Sequence, residues 1–163
     1  MTVLASCMFA ICSAVLLMAS LHDLAARTVP NAMAAILVLA GLAGAAIEGY
    51  LPGSVLAGLG VFAVGALCWR RGWLGGADVK LLAAACVALP PASILQFISA
   101  VAIAGGGLAL FYLGAGPLAR KRRSHQPHGL LARVLRVERW RIGRGGPLPY
   151  ACAIAAGFLY VTL

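Results

Sequence analysis

The sequence predicts an all-α membrane protein with six transmembrane helices. Hydrophobic residues make up 63% of the chain and charged residues 10%, too few to cover the surface of a water-soluble globule. Five long stretches contain no charged residue: 2–21, 32–47, 51–69, 81–119 and 145–163. A membrane span needs roughly 20 apolar residues, and Pro90-Pro91 interrupts the longest stretch, which therefore divides into two spans.

The predicted helices follow one another with short connections. They cover 3–21, 31–48, 54–70, 76–90, 92–116 and 146–163. We expect the first to be a retained span and not a signal peptide, because no basic residue precedes its apolar run. Pro30 disfavours helix at Val29, so the chain turns there before the second helix. The fourth helix is short, at about 22 Å, and we expect a recessed end or a locally thinned bilayer.

The basic residues predict the orientation in the membrane. All 13 Lys and Arg lie in one alternating set of loops, whereas the loops at 48–50 and 90–91 contain none. The positive-inside rule places the basic loops in the cytoplasm and both termini outside. Topology therefore accounts for the net charge of +9, and we expect no nucleic-acid partner.

The chain is expected to form a single transmembrane domain over residues 1–163, with one long basic cytoplasmic loop over 117–147. This loop begins with the cluster Arg120-Lys121-Arg122-Arg123. From Leu130 onward its pattern is amphipathic, which predicts a helix in the lipid headgroup layer. A role in substrate docking is the alternative for this segment.

Two aspartates are the candidate catalytic residues. Asp23 and Asp78 each lie where an apolar run meets a basic segment, on the same predicted face of the membrane. An acid at the end of a span is energetically costly, which suggests a function. The structural alternatives are an ion pair of Asp23 with Arg27 on one helical face, and dipole capping by Asp78 at the start of the fourth helix.

A pair of carboxylates at close range shares one proton, and this arrangement hydrolyses amides without a metal. The ionised acid removes a proton from water while the protonated one donates to the carbonyl oxygen. Because such a pair titrates as a unit, neither aspartate is assigned a fixed role. The small residues Gly75, Gly76 and Ala77 would let a peptide backbone approach Asp78.

Other chemistries have no support in the sequence. His22, His125 and His128 lack metal-ligand spacing, and the five cysteines lie within predicted spans without a C-x-x-C pair. No metal and no cofactor are therefore predicted.

Two stretches around the aspartates resemble the motifs of the prepilin peptidases, a family of membrane aspartyl proteases. Asp23, Arg27 and Val29-Pro30-Asn31 resemble the first motif, and Gly75-Gly76-Ala77-Asp78-Val79-Lys80 resembles the second, G-x-G-D followed by Lys. Pro149-Tyr150 is similar to the Pro-Tyr-Gly stretch before the family's last span.

The resemblance implies an aspartyl endopeptidase of the short, peptidase-only type that serves Flp-type pili, in the inner membrane of a bacterium. Its substrate would be a single-span prepilin with a short basic leader and a Gly at the cleavage point. Arg27, Asn31 and Lys80 would then support the site, Arg27 and Lys80 by keeping one carboxylate ionised; capping of the second helix is the alternative role for Asn31. The sequence specifies no oligomeric state.

Two departures from the family pattern leave alternatives open. Ala77 and Ala151 stand where the family has glycine, and alanine is disfavoured at positive φ. A non-catalytic pilus-assembly protein with the same fold is one alternative. A small transporter or channel subunit is another, because intramembrane acids also mark ion paths.

Overall fold

The computed structural model describes residues 2–121 and 148–162, with side chains described for 2–115 and 148–162. All regular structure in these ranges is helical. The helices are α1 (Val3–Ala26), α2 (Asn31–Glu48), α3 (Leu51–Arg70), α4 (Gly76–Ala88), α5 (Ile94–Lys121) and α6 (Tyr150–Thr162), with a 3-10 turn at Pro91–Ser93 before α5.

Four segments of the described chain are long and apolar enough to cross a membrane. They are α1, α2, α3 and the segment Pro91–Ala115. Helix α6 is equally apolar but shorter, and α4, with 13 residues, measures about 20 Å. The predicted all-α membrane class is therefore confirmed, and α4 and α6 differ from the rest in length.

Two predicted helix ends are wrong. The first helix continues to Ala26, past the predicted end at 21, and therefore includes Asp23. Helix α5 runs through Pro117 to Lys121, so the predicted loop at 117–147 begins as helix. The amphipathic helix predicted from Leu130 lies outside the described residues. Pro90 and the 3-10 turn after it confirm the predicted break between the fourth and fifth helices.

Small residues bring the helices into close contact around α4. Helices α2 and α4 run parallel, and a Cβ built at Gly41 would lie 3.0 Å from backbone atoms of Ala88. Helix α3 packs antiparallel on another side of α4, where Gly58 faces Val87. Helix α1 contacts α2 and α6, and α6 contacts α5. The short helix α4 thus lies at the centre of the bundle.

Large apolar side chains complete the core between α5 and α6. Phe97 and Phe158 are fully buried and meet edge to face, with ring centroids 6.3 Å apart. Leu16, Leu37 and Leu81 extend the same cluster into α1, α2 and α4. This shared core fixes the relative positions of the helix ends and therefore of the residues on them.

The bundle has two ends of different polarity. At one end the backbone N–H of Thr2 donates to Glu48 Oε1 at 3.0 Å, and the Tyr50 hydroxyl donates to the Ala88 carbonyl at 3.1 Å. The opposite end, where α1 and α3 finish and α2, α4 and α6 begin, is referred to here as the aspartate end. Its charged residues in the described chain are Asp23, Arg27, Arg70, Arg71, Asp78, Lys80 and, at the end of α5, Arg120 and Lys121. The basic residues are thus gathered at the end that holds both aspartates.

Candidate active site

Asp23 lies in the last turn of α1 and is only 9% exposed. The helix ends directly after it because Arg27 adopts the left-handed conformation, with φ 56°. The Arg27 N–H donates to the Asp23 carbonyl oxygen at 2.9 Å, which closes the last turn. Arg27 is therefore the C-cap of α1, and its ion pair with Asp23 stays an alternative explanation for that acid.

Asp78 lies at the third position of α4, and its carboxylate turns back over the helix start. It accepts a hydrogen bond from the backbone N–H of Gly75, the residue that caps α4. This is the reciprocal half of a capping box. A Cβ at Gly75 would lie 2.6 Å from Asp78 Oδ2, so only glycine leaves room for the carboxylate in this position.

The two aspartates interact electrostatically. Burial raises the pKa of Asp78, the negative charge of Asp23 raises it further, and together they bring it to about 6. The hydrogen bond from Gly75 and the positive charge of Arg27 act in the opposite direction. Asp78 lies outside the four segments long enough to span. The negative charge of Asp23 therefore acts on the carboxyl group of Asp78.

Ala77 fits the local backbone without strain. It occupies the second position of α4, and Arg27 is the non-glycine residue with positive φ among those that the structure describes. Ala151 lies in the first turn of α6 and is fully buried. Neither alanine adopts the conformation that would require glycine, so the strain considered for Ala77 does not arise.

Asn31 and Lys80 connect the starts of α2 and α4. The Lys80 ammonium donates to Asn31 Oδ1 at 2.9 Å, and both side chains are exposed. Pro30 precedes α2 as its cap residue, and no side chain makes a capping hydrogen bond there. The alternative role of Asn31 as a helix cap is therefore wrong.

Arg27 and Lys80, the two basic residues expected to act on the carboxylates, differ in their interactions. The positive charge that lowers the pKa of Asp78 is that of Arg27. Lys80 donates a hydrogen bond to Asn31 instead. Gly76 opens α4 beside Trp69, where an added Cβ would lie 3.3 Å from the indole nitrogen.

Tyr150 is a site residue that sequence reasoning did not select. The negative charge of Asp78 reaches it and contributes, after burial, to raising the pKa of its hydroxyl. The sequence placed Pro149-Tyr150 only in a motif before the last span. Its position could have indicated it, because Tyr150 directly precedes an apolar run on the same predicted membrane face as both aspartates.

The described residues contain no group of three or more His, Cys, Asp or Glu that could hold a metal ion. The five cysteines lie in helices, and they form no disulfide with one another. Asp23 and Asp78 stay the candidate catalytic residues in this part of the chain.

Comparison with known proteins identifies related sequences at the family level. The profile of the type IV leader peptidase family matches residues 10–110, a range that includes both aspartates. No curated protein matches the chain, and no solved structure matches it.

Proposed function

The chain belongs to the type IV leader peptidase family, and from that premise we propose that it is an integral-membrane aspartyl endopeptidase. Its proposed substrates are type IV-like prepilins of the Flp type, from which it removes the leader peptide. The observation that carries the proposal is the coupling of Asp23 to Asp78, because the charge of the first raises the pKa of the second. Coupled carboxyl groups that share one proton are the machinery of amide hydrolysis by water.

The proposed reaction uses both states of the pair. The ionised carboxylate takes a proton from water as its oxygen bonds to the carbonyl carbon of the substrate, while the protonated carboxyl donates to the carbonyl oxygen. The C–N bond then breaks as one carboxyl group donates its proton to the departing amine and the other takes the proton of a gem-diol hydroxyl, which becomes the carbonyl of the new acid. The products are a carboxylic acid and an amine, and the pair is left with one proton, as it began.

The proposed location is the cytoplasmic face of the bacterial inner membrane. Arg27, Arg70, Arg71 and Lys80 at the aspartate end support this orientation, and the described residues at the other end include no Lys or Arg. In this arrangement all six helices traverse the bilayer, with the first turns of α4 and α6 at its cytoplasmic boundary, and both termini are extracytoplasmic. The shorter α4 and α6 would do so where the bilayer is locally thin.

The site geometry suits a peptide at the membrane boundary. The first turn of α4 presents small residues, Gly75 to Ala77, beside the Asp78 carboxylate. A prepilin with a short basic leader would place the residues before its single span at this level. A Gly at its cleavage point would favour the extended backbone that hydrolysis requires.

Replacement of either aspartate tests the proposal. We expect Asp23→Asn and Asp78→Asn each to abolish prepilin cleavage, measured with purified enzyme in detergent, because an amide cannot exchange the proton. Glu48→Gln, which removes an acid at the opposite end, is the matched control and should cleave normally. Normal cleavage by either aspartate variant would contradict the mechanism.

The same variants test the coupling directly. Asp23 and Asp78 are the only aspartates in the sequence, so ¹³C labelling of aspartate yields two carboxyl signals. In Asp23→Asn the pKa of Asp78 should fall, because loss of a nearby negative charge favours ionisation. An unchanged pKa would show that the carboxyl groups do not interact.

A further inference from the structure

Tyr150 occupies a fixed position at the aspartate end. It is the first residue of α6 and is partly buried, and Pro149 before it is fully buried. The Ser20 hydroxyl of α1 donates to the carbonyl of Ala151 at 3.0 Å, so the first turn of α6 is attached to α1 one turn before Asp23. The backbone around Tyr150 is therefore held against the helix that supplies the first aspartate.

The ring of Tyr150 lies against the backbone of α5. A Cβ added at Gly105 would be 2.8 Å from ring atom Cε2 and 3.3 Å from the hydroxyl oxygen. Contact distances below 3.0 Å are essentially never found for real Cβ atoms, so the ring occupies space that exists only because residue 105 is glycine. Helix α5 thereby limits where the phenol can point.

The hydroxyl of Tyr150 remains protonated and lies within range of the charge of Asp78. Burial, then the charge of Asp78, raises the pKa of this hydroxyl above its ordinary value near 10. A neutral phenol in a partly buried site can donate a hydrogen bond without exchanging its proton. Such a donor is worth most where a nearby oxygen gains negative charge during a reaction.

We infer that Tyr150 is a third catalytic residue, whose hydroxyl donates a hydrogen bond to the carbonyl oxygen of the peptide bond held between Asp23 and Asp78. This inference rests on the proposed peptidase function. The aspartates transfer the protons, and Tyr150 keeps its own. It stabilises the carbonyl oxygen as water adds to the carbon, and it orients the bond before that step.

Removal of the hydroxyl alone is the first test. Tyr150→Phe keeps the ring on Gly105, and we expect kcat for prepilin cleavage to fall by about 100-fold, while KM and the melting temperature change little. Tyr160→Phe, an exposed tyrosine at the other end of α6, is the matched control and should resemble wild type. Wild-type kcat in Tyr150→Phe would overturn the inference.

Displacement of the ring is the second test. Gly105→Ala places a methyl group against the ring and should lower kcat, whereas Gly106→Ala, which has no atom within 4 Å of the new Cβ, should not. Because the loss arises through Tyr150, adding Tyr150→Phe to Gly105→Ala should reduce kcat little further. Equal activity of the two alanine variants, or fully additive losses, would contradict the inference.

These outcomes are separate from those that test the peptidase function. If Asp23→Asn and Asp78→Asn are inactive but Tyr150→Phe is normal, the inference fails and the function stands. If the aspartate variants cleave normally, the function itself fails.

Discussion

The backbone conformation of Ala77 determines what effect its replacement by glycine would have. Because it lies in the first turn of α4 with helical backbone angles, a glycine there brings no steric relief. We expect Ala77→Gly to leave prepilin cleavage unchanged and to lower the free energy of unfolding by about 0.5–1 kcal/mol, through greater backbone entropy. Cleavage rates and thermal unfolding of the two proteins in the same detergent would measure both effects.

A marked gain in activity with Ala77→Gly would contradict this prediction. It would mean that the reactive state uses a backbone conformation that alanine opposes and that the resting helix does not display. Gly60→Ala, in the middle of α3 with open space around the added Cβ, provides a reference for a glycine–alanine exchange that should not affect the site.

The sequence predicted the aspartates but not all of their surroundings. Asp23 and Asp78 are recognisable because placing an acidic residue at the end of a membrane span costs free energy, which suggests a function. The cap conformation of Arg27 was not predictable, since left-handed φ is rare for a residue with a long side chain. Tyr150 was missed because its proximity to Asp78 depends on how α6 docks on α1 and α5, which no local pattern specifies.

At the scale of helices, the contact of α2 with α4 holds the site together. Gly41 allows the two backbones to touch, and the Lys80–Asn31 hydrogen bond joins the same helices at the aspartate end. The added Cβ of Gly41→Ala would meet the backbone of Ala88, which cannot rotate away. We expect a loss of about 1–3 kcal/mol in stability, measured by thermal or denaturant unfolding.

Gly60→Ala is again the control, and it should be neutral or slightly stabilising because alanine favours the helix. A Gly41→Ala protein as stable as wild type would show that α2 and α4 separate readily. Their close contact could then not be what positions Asn31 against Lys80.

Helix order and type were predictable, whereas helix ends were less so. Pro30 and Pro90 marked two starts correctly, because proline restricts the residue before it. The end of α5 was placed too early because the basic cluster at Arg120 was interpreted as loop. A helix can continue into the headgroup layer, where long basic side chains extend to water.

For the molecule as a whole, the distribution of charge predicts orientation. In a variant with all five cysteines replaced by alanine or serine, single cysteines at exposed positions report the side of the membrane. We expect Pro52→Cys, at the Glu48 end, to react with a membrane-impermeant maleimide in spheroplasts. Thr28→Cys, at the aspartate end, should react only after permeabilisation.

The cysteine-free protein should retain substantial peptidase activity, which serves as the control for its fold. The reversed labelling pattern would place the aspartates on the outer face and exclude a cytoplasmic site. Charge alone allowed this orientation to be predicted, and the sequence also indicated the short α4, but the shortness of α6 required the structure.

The left-handed backbone at Arg27 determines which substitution would stabilise the end of α1. Glycine would be favoured there by about 1 kcal/mol, because it lacks the Cβ that opposes this conformation. The guanidinium charge that favours ionised Asp78 is thus kept at the expense of a less strained turn. A redesign guided only by thermal stability would select glycine at this position. It would yield a more stable protein in which Asp78 has lost the positive charge that favours its ionised form.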